Sequence, residues 1–332
     1  MFKSVVRGLV PHPTPRLTLF LGLLLAAVLL LVPLPPGHSL GSEALENAAH
    51  APLFAVLAAL ALRARRAGRG DRPMYLRDYL TVWGLVTLFG ALMEIVQGFV
   101  GRDPSLEDLA NDVLGAGLAL TVTAWLRHES FVTARPARWI AGALIAVGVL
   151  LYAAPPLWSA AAYAQRWVQR PVLWQWRTPL DEYFISDSNA QINRVPASAC
   201  LAKPAAPLPG GQALWIVLDA GPYPGLTLDE PYPDWRGYQT LAIDVVNPGA
   251  EPVPLSLRVD DAPHNHHYDD RYTGTFELPG RQRTRLHVAL RDIEQTPSGR
   301  KLDLARIANL MIFRAGPAVG EAVCLLSIQL ER

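Results

Sequence analysis

Long apolar segments separated by short charged loops fill the first half of the chain. A run of about 20 apolar residues is enough for a helix to cross a bilayer. The first run follows basic residues, as a signal peptide would, but it is long, ends in prolines and lacks a small-residue cleavage site, so we expect it to be retained. The sequence therefore predicts five membrane-spanning helices, at 17–37, 45–62, 79–100, 108–126 and 139–157.

Basic residues are distributed unevenly among the predicted loops. Six arginines lie between 63 and 77 and three between 127 and 138, whereas the loops 36–43 and 101–107 hold one arginine between them. Short cytoplasmic loops are enriched in Lys and Arg. The sequence thus predicts a multi-pass protein of a bacterial cytoplasmic (inner) membrane, with residues 1–16 in the cytoplasm and an extracytoplasmic, periplasmic C-terminal half.

Polar residues lie just inside three of the apolar segments. With the predicted topology, His50, Glu94, Gln97, Asp108 and Asp112 reach a similar depth beneath the outer surface. Ionisable groups inside a spanning helix are costly unless paired, so they mark a candidate functional site. The alternative is that they are solvated at helix ends, and the helix dipole alone favours Asp108 at the start of a helix.

This pattern resembles the VanZ-like family of membrane proteins over residues 17–130. The residues that carry the resemblance are His50, Glu94-x-x-Gln97, Arg102-x-x-Ser105-x-x-Asp108 and Asp112-x-x-Gly115. The family pattern leads us to expect Asn at the position of Asp112. The resemblance implies a helical membrane fold and a polar site, but no particular reaction. The candidate cluster comprises His50, Glu94, Gln97, Arg102, Ser105, Asp108 and Asp112.

Aromatic residues crowd the segment 158–180, which follows the fifth apolar run. Four tryptophans and a tyrosine alternate there with Arg166 and Arg170. Amphipathic rings favour the membrane–water interface, so the sequence predicts an aromatic interfacial linker that continues the fifth helix. Stacking on a sugar or a nucleic acid is the alternative use of such rings.

From about residue 181 the hydrophobic pattern changes to short β-branched runs between Pro- and Gly-bearing turns. Such spacing is typical of an all-β sandwich, here predicted as jelly-roll-like over 181–332. The expected fold is thus a multi-domain membrane protein, with an all-α five-helix transmembrane bundle followed by an all-β sandwich. One helical turn is expected at 303–308. The predicted strands are 213–219, 240–246, 253–259, 274–278, 284–290, 310–314 and 323–330.

The chain contains two cysteines, Cys200 and Cys324, both in the predicted outer domain. An oxidising compartment allows them to form a disulfide. Two buried free thiols are the alternative.

The most polar run of the outer domain is 260–272, which holds three histidines among four carboxylates. Imidazole and carboxylate suit divalent metals, but the spacing matches no defined metal motif. We therefore predict no metal site here and no cofactor. A calcium ion that ties strands together is common in folds of the type described next, although no ligand set for it is recognisable.

The second half, over about 210–332, resembles the galactose-binding-like β-sandwiches found as carbohydrate-binding modules. The resemblance is carried by Trp235-Arg-Gly-Tyr238, Arg258-Val-Asp260, Tyr268-Asp-Asp-Arg271 and Leu302-Asp-Leu304. It implies that aromatic and charged side chains of a loop face bind a sugar. The alternatives are that Trp235 belongs to the core and that Asp270 and Arg271 form a surface pair. The implied ligand-binding residues are Trp235, Asp260, His264, Asn265, Tyr268, Asp270 and Arg271.

Two functional hypotheses follow. A net charge of +1 gives no reason to expect a nucleic-acid partner, and no Gly-x-Ser-x-Gly, phosphate loop, HExxH or CxxC motif indicates an enzyme. The first hypothesis is a membrane-anchored, non-enzymatic envelope protein whose sandwich binds a glycan, glycolipid or cell-wall fragment. The alternative is a membrane enzyme or transporter that acts on a lipid-linked or polar envelope molecule through His50, Glu94 and Asp108.

Overall fold

The computed structural model describes residues 14–32, 39–100, 104–201, 211–316 and 320–332. The chain divides into a helical unit that ends at Ser159 and a β unit from Ala160 to Arg332. Six α-helices lie in the described residues, rather than the five predicted, because a short helix forms in the β unit where a strand was expected to reach residue 290. They are α1 (Pro15–Leu31), α2 (Leu40–Arg69), α3 (Leu76–Phe99), α4 (Leu106–Leu126), α5 (Arg135–Val168) and α6 (Leu290–Gln295).

Four of these helices, α2 to α5, are long and apolar enough to cross a membrane, judged by length and composition. α1 is also apolar but has 17 residues, and the predicted continuation at 33–37 lies outside the described residues. α2 runs beyond its apolar part because Arg65 and Arg69 pair with the buried carboxylate of Asp78 in α3, at 2.7 and 2.6 Å. Apolar patterning cannot predict such an extension, which depends on a partner in another helix.

The helical unit exposes many large apolar side chains and buries several polar ones beside its apolar core. On α3, Leu88, Leu92 and Ile95 are exposed, whereas Glu94 and Gln97 are buried. A water-soluble bundle has the reverse arrangement, because its apolar residues leave water on folding. Exposed apolar side chains together with buried polar groups are typical of membrane-inserted helices, in agreement with the length and composition of α2 to α5.

Two glycines let the central helices approach closely. A Cβ added at Gly115 of α4 would overlap the backbone carbonyl of Ala51 in α2. A Cβ at Gly90 of α3 would lie within 3.0 Å of Phe54 and would also meet the Asp112 carboxylate. Small residues at helix contacts permit backbone approach in membranes. Here they bring α2, α3 and α4 together at the depth of His50.

The β unit contains eleven strands in its described part, arranged in two antiparallel sheets. One sheet has the order β3-β4-β11-β6-β9, with β1 also paired to β11, and the other has the order β2-β5-β10-β7-β8. The strands are β1 (Val172–Trp174), β2 (Ile185–Ser188), β3 (Ala190–Pro196), β4 (Gln212–Leu218), β5 (Gly225–Asp229), β6 (Thr240–Asn247), β7 (Val253–Asp261), β8 (Tyr272–Leu278), β9 (Gln282–Ala289), β10 (Ile307–Phe313) and β11 (Glu321–Glu331).

Alternating side chains of the two sheets form the core of the sandwich. On β7, Leu257 and Val259 are buried while Arg258 between them is partly exposed, as the period of two in a strand requires. On β10, Leu310 and Ile312 are buried, and Met311 lies on the other face beside Arg258. The β-sandwich predicted from the sequence is thus confirmed, although β1, β2, β3 and β5 were not predicted.

One local prediction was wrong. The expected helical turn at 303–308 is a non-helical turn that Asp303 caps by accepting a hydrogen bond from the Ala305 backbone at 3.0 Å, and β10 begins at Ile307. In the segment predicted as an interfacial linker, α5 continues to Val168 with Trp158 and Trp167 exposed, whereas Trp174 and Trp176 are buried in the β unit. The indole of Trp174 donates to the carbonyl of Asp181 at 3.1 Å, so burial leaves its polar group satisfied.

Candidate functional site

The predicted polar cluster of the helical unit is assembled from three helices. Nδ1 of His50 on α2 lies 2.9 Å from Oδ1 of Asp112 on α4, and its Nε2 lies 3.8 Å from Oδ2 of Asp108. Glu94 of α3 accepts a hydrogen bond from the backbone nitrogen of Ser105 at 2.7 Å. The two neighbouring helices therefore hold His50 between carboxylates.

Other predicted members of this cluster have structural partners. The side chain of Ser105 caps α4 by accepting hydrogen bonds from the backbones of Glu107 and Asp108, at 3.2 and 3.3 Å. The amide of Gln97 donates to the carbonyl of Leu30 in α1 at 2.9 Å, so it links two helices. Arg102 lies outside the described residues.

Three neighbours of the cluster were not nominated from the sequence. The ring of Phe54 stacks parallel to His50, with centroids 6.5 Å apart. With its amide turned so that nitrogen faces the carboxylate, Asn47 donates to Asp108 at 3.2 Å. Gly90 leaves space for Asp112. Helical spacing could have found Asn47 and Phe54, which lie one turn on either side of His50.

The cluster is rich in negative charge. It contains three buried carboxylates and one imidazole, and His50 makes the only ion pairs to Asp108 and Asp112 found in the described part of the chain. His50, Glu94 and Asp112 each offer a ligand atom within 4.8 Å of the others, the only such trio in the described residues. Imidazole and carboxylate ligands suit divalent metals. The arrangement can thus bind protons or a divalent cation within the helical unit.

A second candidate site is a cleft on the outer face of the five-stranded sheet, with a volume of about 320 Å³. We call it the sheet cleft. Its floor is set by strand register: Arg258 of β7 stands beside Thr273 of β8 and Met311 of β10, and Ser256 beside Thr275 and Phe313. The lining residues are Ser188, Tyr223, Ser256, Arg258, Tyr268, Arg271, Thr273, Thr275, Met311, Phe313 and Ala315.

Two tyrosines of the sheet cleft are strongly exposed. Tyr223 is 58% and Tyr268 is 69% exposed, which is unusual for large rings. Tyr223 packs edge-on against Phe313, with centroids 5.6 Å apart, and the Arg271 guanidinium lies 5.0 Å from the centre of the Tyr268 ring. Both rings are thus supported from one side and open on the other.

The two arginines of the sheet cleft differ in their partners. Arg258 is paired with the buried carboxylate of Asp260, with Nη2 and Oδ2 2.6 Å apart. Arg271 makes no ion pair in the described residues, and its Nε is buried without a hydrogen-bond acceptor. Burial and the nearby charge of Arg258 lower the pKa of Arg271, although a guanidinium remains charged at neutral pH. The hydroxyl of Thr273 is also buried without a partner.

The remaining nominated residues of this loop support the sheet cleft from behind. Nδ1 of His264 bonds to the carbonyl of Asp270 at 3.0 Å, and the backbone of Asn265 donates to the Asp270 carboxylate at 2.9 Å. Arg300 bridges Asp270 and Asp261, at 2.6 Å from the latter. These contacts fix the loop that carries Tyr268, and they occupy the Asp270 carboxylate and one ring nitrogen of His264.

Trp235 does not present its ring to a ligand. Its side chain is 0% exposed, and its indole nitrogen donates to the carbonyl of Tyr232 at 2.8 Å. A ring enclosed on both faces cannot stack on a sugar, so Trp235 serves the core instead. This placement is a correction of its nomination as a binding residue.

Several residues of the sheet cleft were not nominated from the sequence. Arg258 and Ser256 face outward because the flanking leucines of β7 face inward, so the alternation within 253–259 could have identified them. Tyr223 lies in a loop before β5 with a φ of 55°, and no local pattern marks it.

No protein-family model and no curated protein matches the sequence. An exo-β-agarase has 16% identity and a TM-score of 0.38, over 48% of this chain and 24% of the agarase. A family 11 carbohydrate-binding module from Clostridium thermocellum, solved with a mixed-linked tetrasaccharide, has 13% identity and a TM-score of 0.33, over 45% of this chain and 88% of the module. An arabinose-bound α-L-arabinofuranosidase has 12% identity and a TM-score of 0.35, over 49% of this chain and 26% of the enzyme. Likenesses this low carry no information about the ligand of this chain.

Proposed function

We propose that this chain is a membrane protein whose extracytoplasmic sandwich binds a glycan or glycolipid of the cell envelope. The observation that carries the proposal is the sheet cleft, in which two exposed tyrosine rings flank a floor of hydroxyl and guanidinium groups. A sugar ring has an apolar C–H face and a rim of hydroxyls. An aromatic ring that is open on one side packs against that face, while convergent polar groups fix the hydroxyls.

The helical unit supplies the membrane part of this proposal. Its α2 to α5 are long and apolar enough to span, and its outward side chains are apolar. The resemblance to VanZ-like proteins over 17–130 is consistent with the buried polar cluster, and it gives no reaction. In this proposal the helices anchor the sandwich outside the cytoplasmic membrane, within reach of envelope glycans.

The experiment is a binding titration with the full-length protein in nanodiscs and a panel of neutral and acidic oligosaccharides. Tyr268→Ala should weaken binding of the recognised sugar by about tenfold, or about 1.4 kcal/mol, because the stacking ring is lost. Tyr268→Phe, which keeps the ring, should bind like the wild type. Tyr238→Ala is the matched control, because Tyr238 is partly exposed but does not line the cleft. Absence of binding across the panel would refute the proposal.

A second candidate function belongs to the polar cluster of the helical unit. Three carboxylates share one imidazole inside an apolar bundle, and such intramembrane groups commonly form proton or ion pathways. On this hypothesis the protein is a transporter or enzyme that moves a proton or cation through His50, Glu94 and Asp108. The structural alternative is that the pair of His50 and Asp112 fastens α2 to α4.

Proteoliposomes with an imposed pH gradient distinguish these possibilities for proton transport. Glu94→Gln keeps an acceptor for the Ser105 backbone but removes the charge. A transporting cluster predicts that the wild type dissipates the gradient and Glu94→Gln does not, with unchanged thermal stability. Glu107→Gln is the control, because Glu107 is exposed in the same region of the chain. Equal rates for wild type, Glu94→Gln and empty vesicles would reject proton transport.

A further inference from the structure

The charged side chains that line the sheet cleft in the described part of the chain are all positive. Among the described residues, Arg258 and Arg271 are its only charged lining residues, and no described Asp or Glu lines it. Neutral sugars are commonly held by carboxylates as well as by donors, because their hydroxyls both donate and accept hydrogen bonds. A cleft that offers two guanidinium groups and no carboxylate therefore favours a ligand that mainly accepts hydrogen bonds.

Only one of the two positive charges is neutralised within the protein. Nε of Arg258 donates to Asp260 at 3.0 Å, and a second contact of 2.6 Å makes this pair bidentate. His264, with Nε2 3.4 Å from Arg258, adds no negative charge. Arg271 forms no ion pair in the described residues, and the carboxylate whose charge acts on it, that of Asp260, is already paired with Arg258.

The position of Arg271 is held by its neighbours. Its guanidinium lies against the Tyr268 ring, and its Nε is enclosed without an acceptor. A surface arginine normally satisfies its donors with water. A partly buried guanidinium that forms no ion pair in the described residues and whose Nε lacks an acceptor, beside a second arginine and an open aromatic ring, is the arrangement expected where a ligand supplies the missing acceptors.

We infer that the glycan bound in the sheet cleft is acidic, and that Arg271 binds its anionic group beside the sugar ring that stacks on a tyrosine. The chemistry shared by the possible ligands is a carboxylate, sulfate or phosphate ester on a sugar. A planar carboxylate and a tetrahedral ester both accept paired hydrogen bonds from the fork of a guanidinium. This inference rests on the proposed glycan-binding function and specifies its ligand class.

The test uses pairs of ligands that differ only in charge. Full-length protein in nanodiscs is titrated with a uronate oligosaccharide and its carboxyl-reduced counterpart, and with a sulfated oligosaccharide and its desulfated counterpart. We expect one acidic member to bind about tenfold more tightly than its neutral partner, with the preference falling as salt is raised. The pair that shows this preference identifies the anionic group.

Variants of Arg271 test whether this residue causes the preference for the acidic ligand. Arg271→Gln should remove most of the preference for the acidic ligand, so that the acidic and neutral partners bind this variant with similar affinity. Arg271→Lys, which keeps the charge without the forked guanidinium, should retain part of the preference for the acidic ligand. Arg291→Gln is the control, because the side chain of Arg291 is 81% exposed and lies outside the cleft.

The possible outcomes test the acidic ligand class and glycan binding itself separately. Equal affinity of the wild type for acidic and neutral partners overturns the acidic ligand class while glycan binding stands. Failure of all ligands, neutral and acidic, refutes the glycan-binding proposal itself. A preference that persists in Arg271→Gln also overturns the assignment to this residue.

Discussion

Arg300 is the residue on which the loop below the sheet cleft depends. It joins the carboxylates of Asp261, at the end of β7, and Asp270, beside Tyr268 in the chain. The hydrogen bond from Arg300, followed by that from the Asn265 backbone, lowers the pKa of Asp270 to about 2. The ionised form of Asp270 is thus the one that the folded loop stabilises.

This shift predicts how the stability of the sandwich changes with pH. The pKa of Asp270 is lower in the folded than in the unfolded chain, where it is about 3.9, so its stabilising contribution is complete above about pH 4. The contribution should disappear as pH falls from about 4 to about 2. Thermal unfolding of the wild type should show this loss, whereas Asp270→Asn should be less stable at neutral pH and should change less over this interval.

Asp269→Asn is the control, because the neighbouring Asp269 is exposed and forms no ion pair within the described ranges. It should follow the wild-type pH profile. The same profile for Asp270→Asn and the wild type would contradict the role given to the pair with Arg300.

Single residues also show the limit of reading a site from a sequence. Trp235 and Tyr268 looked alike as candidate stacking rings, yet one is enclosed and the other is 69% exposed. The difference arises from tertiary contacts: the Trp235 backbone bonds to the carbonyl of Leu304, far along the chain, at 2.7 Å. Local sequence identified the loop that carries Tyr268 and Arg271, and strand pairing decided which rings face solvent.

At the scale of elements, the contact between α2 and α4 depends on the absence of a side chain at Gly115. Gly115→Ala would place a methyl group against the carbonyl of Ala51, a backbone atom that cannot rotate away. We expect a loss of stability of about 1–3 kcal/mol, as for other overpacked cores, and a wider separation of His50 and Asp112. Thermal unfolding in detergent measures the effect. Gly84→Ala on α3, with open space at its Cβ, should be tolerated.

The structure joins the segment after β3 to β11 by a disulfide between Cys200 and Cys324, with Cα atoms 6.0 Å apart. The bond closes a loop across a sequence separation of 124, so it restricts the unfolded chain strongly. Reduction should lower the free energy of unfolding of the sandwich by about 2–5 kcal/mol. Thiol titration with and without reductant checks the bond, and the Cys200→Ala/Cys324→Ala double variant should not respond to reductant. Two free thiols in protein kept from reductant would contradict it.

Helices and strands could be predicted where apolar residues recur at the period of a helix or a strand, or form a long continuous run. The alternation in 253–259 and the apolar run of α3 gave a strand and a helix close to those observed. The continuation of α5 beyond its apolar run was predicted from the aromatic segment that follows it, but its end at Val168 was not, and there Gln165 donates to Asp181 at 2.7 Å. β5, at Gly225–Asp229, was not predicted.

At the scale of the whole molecule, the positive charge of the loops predicts which side of the membrane each end faces. Six arginines between 63 and 77 should remain in the cytoplasm, which places the C-terminus outside. A C-terminal fusion to a phosphatase that is active only outside the cytoplasm should be active, and a fusion to a fluorescent protein that matures only inside should be dark. The opposite pair of results would invert the topology and remove the sandwich from envelope glycans.

The position of β11 has a consequence for how the protein is made. β11 is the last strand in the described chain, yet it lies in the middle of its sheet, between β4 and β6, and it also pairs with β1. Until residues 321–331 join the fold, the strands of this sheet form two separate ladders, β3-β4 and β6-β9, with unpaired inner edges. Synthesis therefore delivers every other described strand before the one that unites them, and unpaired edges of this kind are prone to aggregate until β11 covers them.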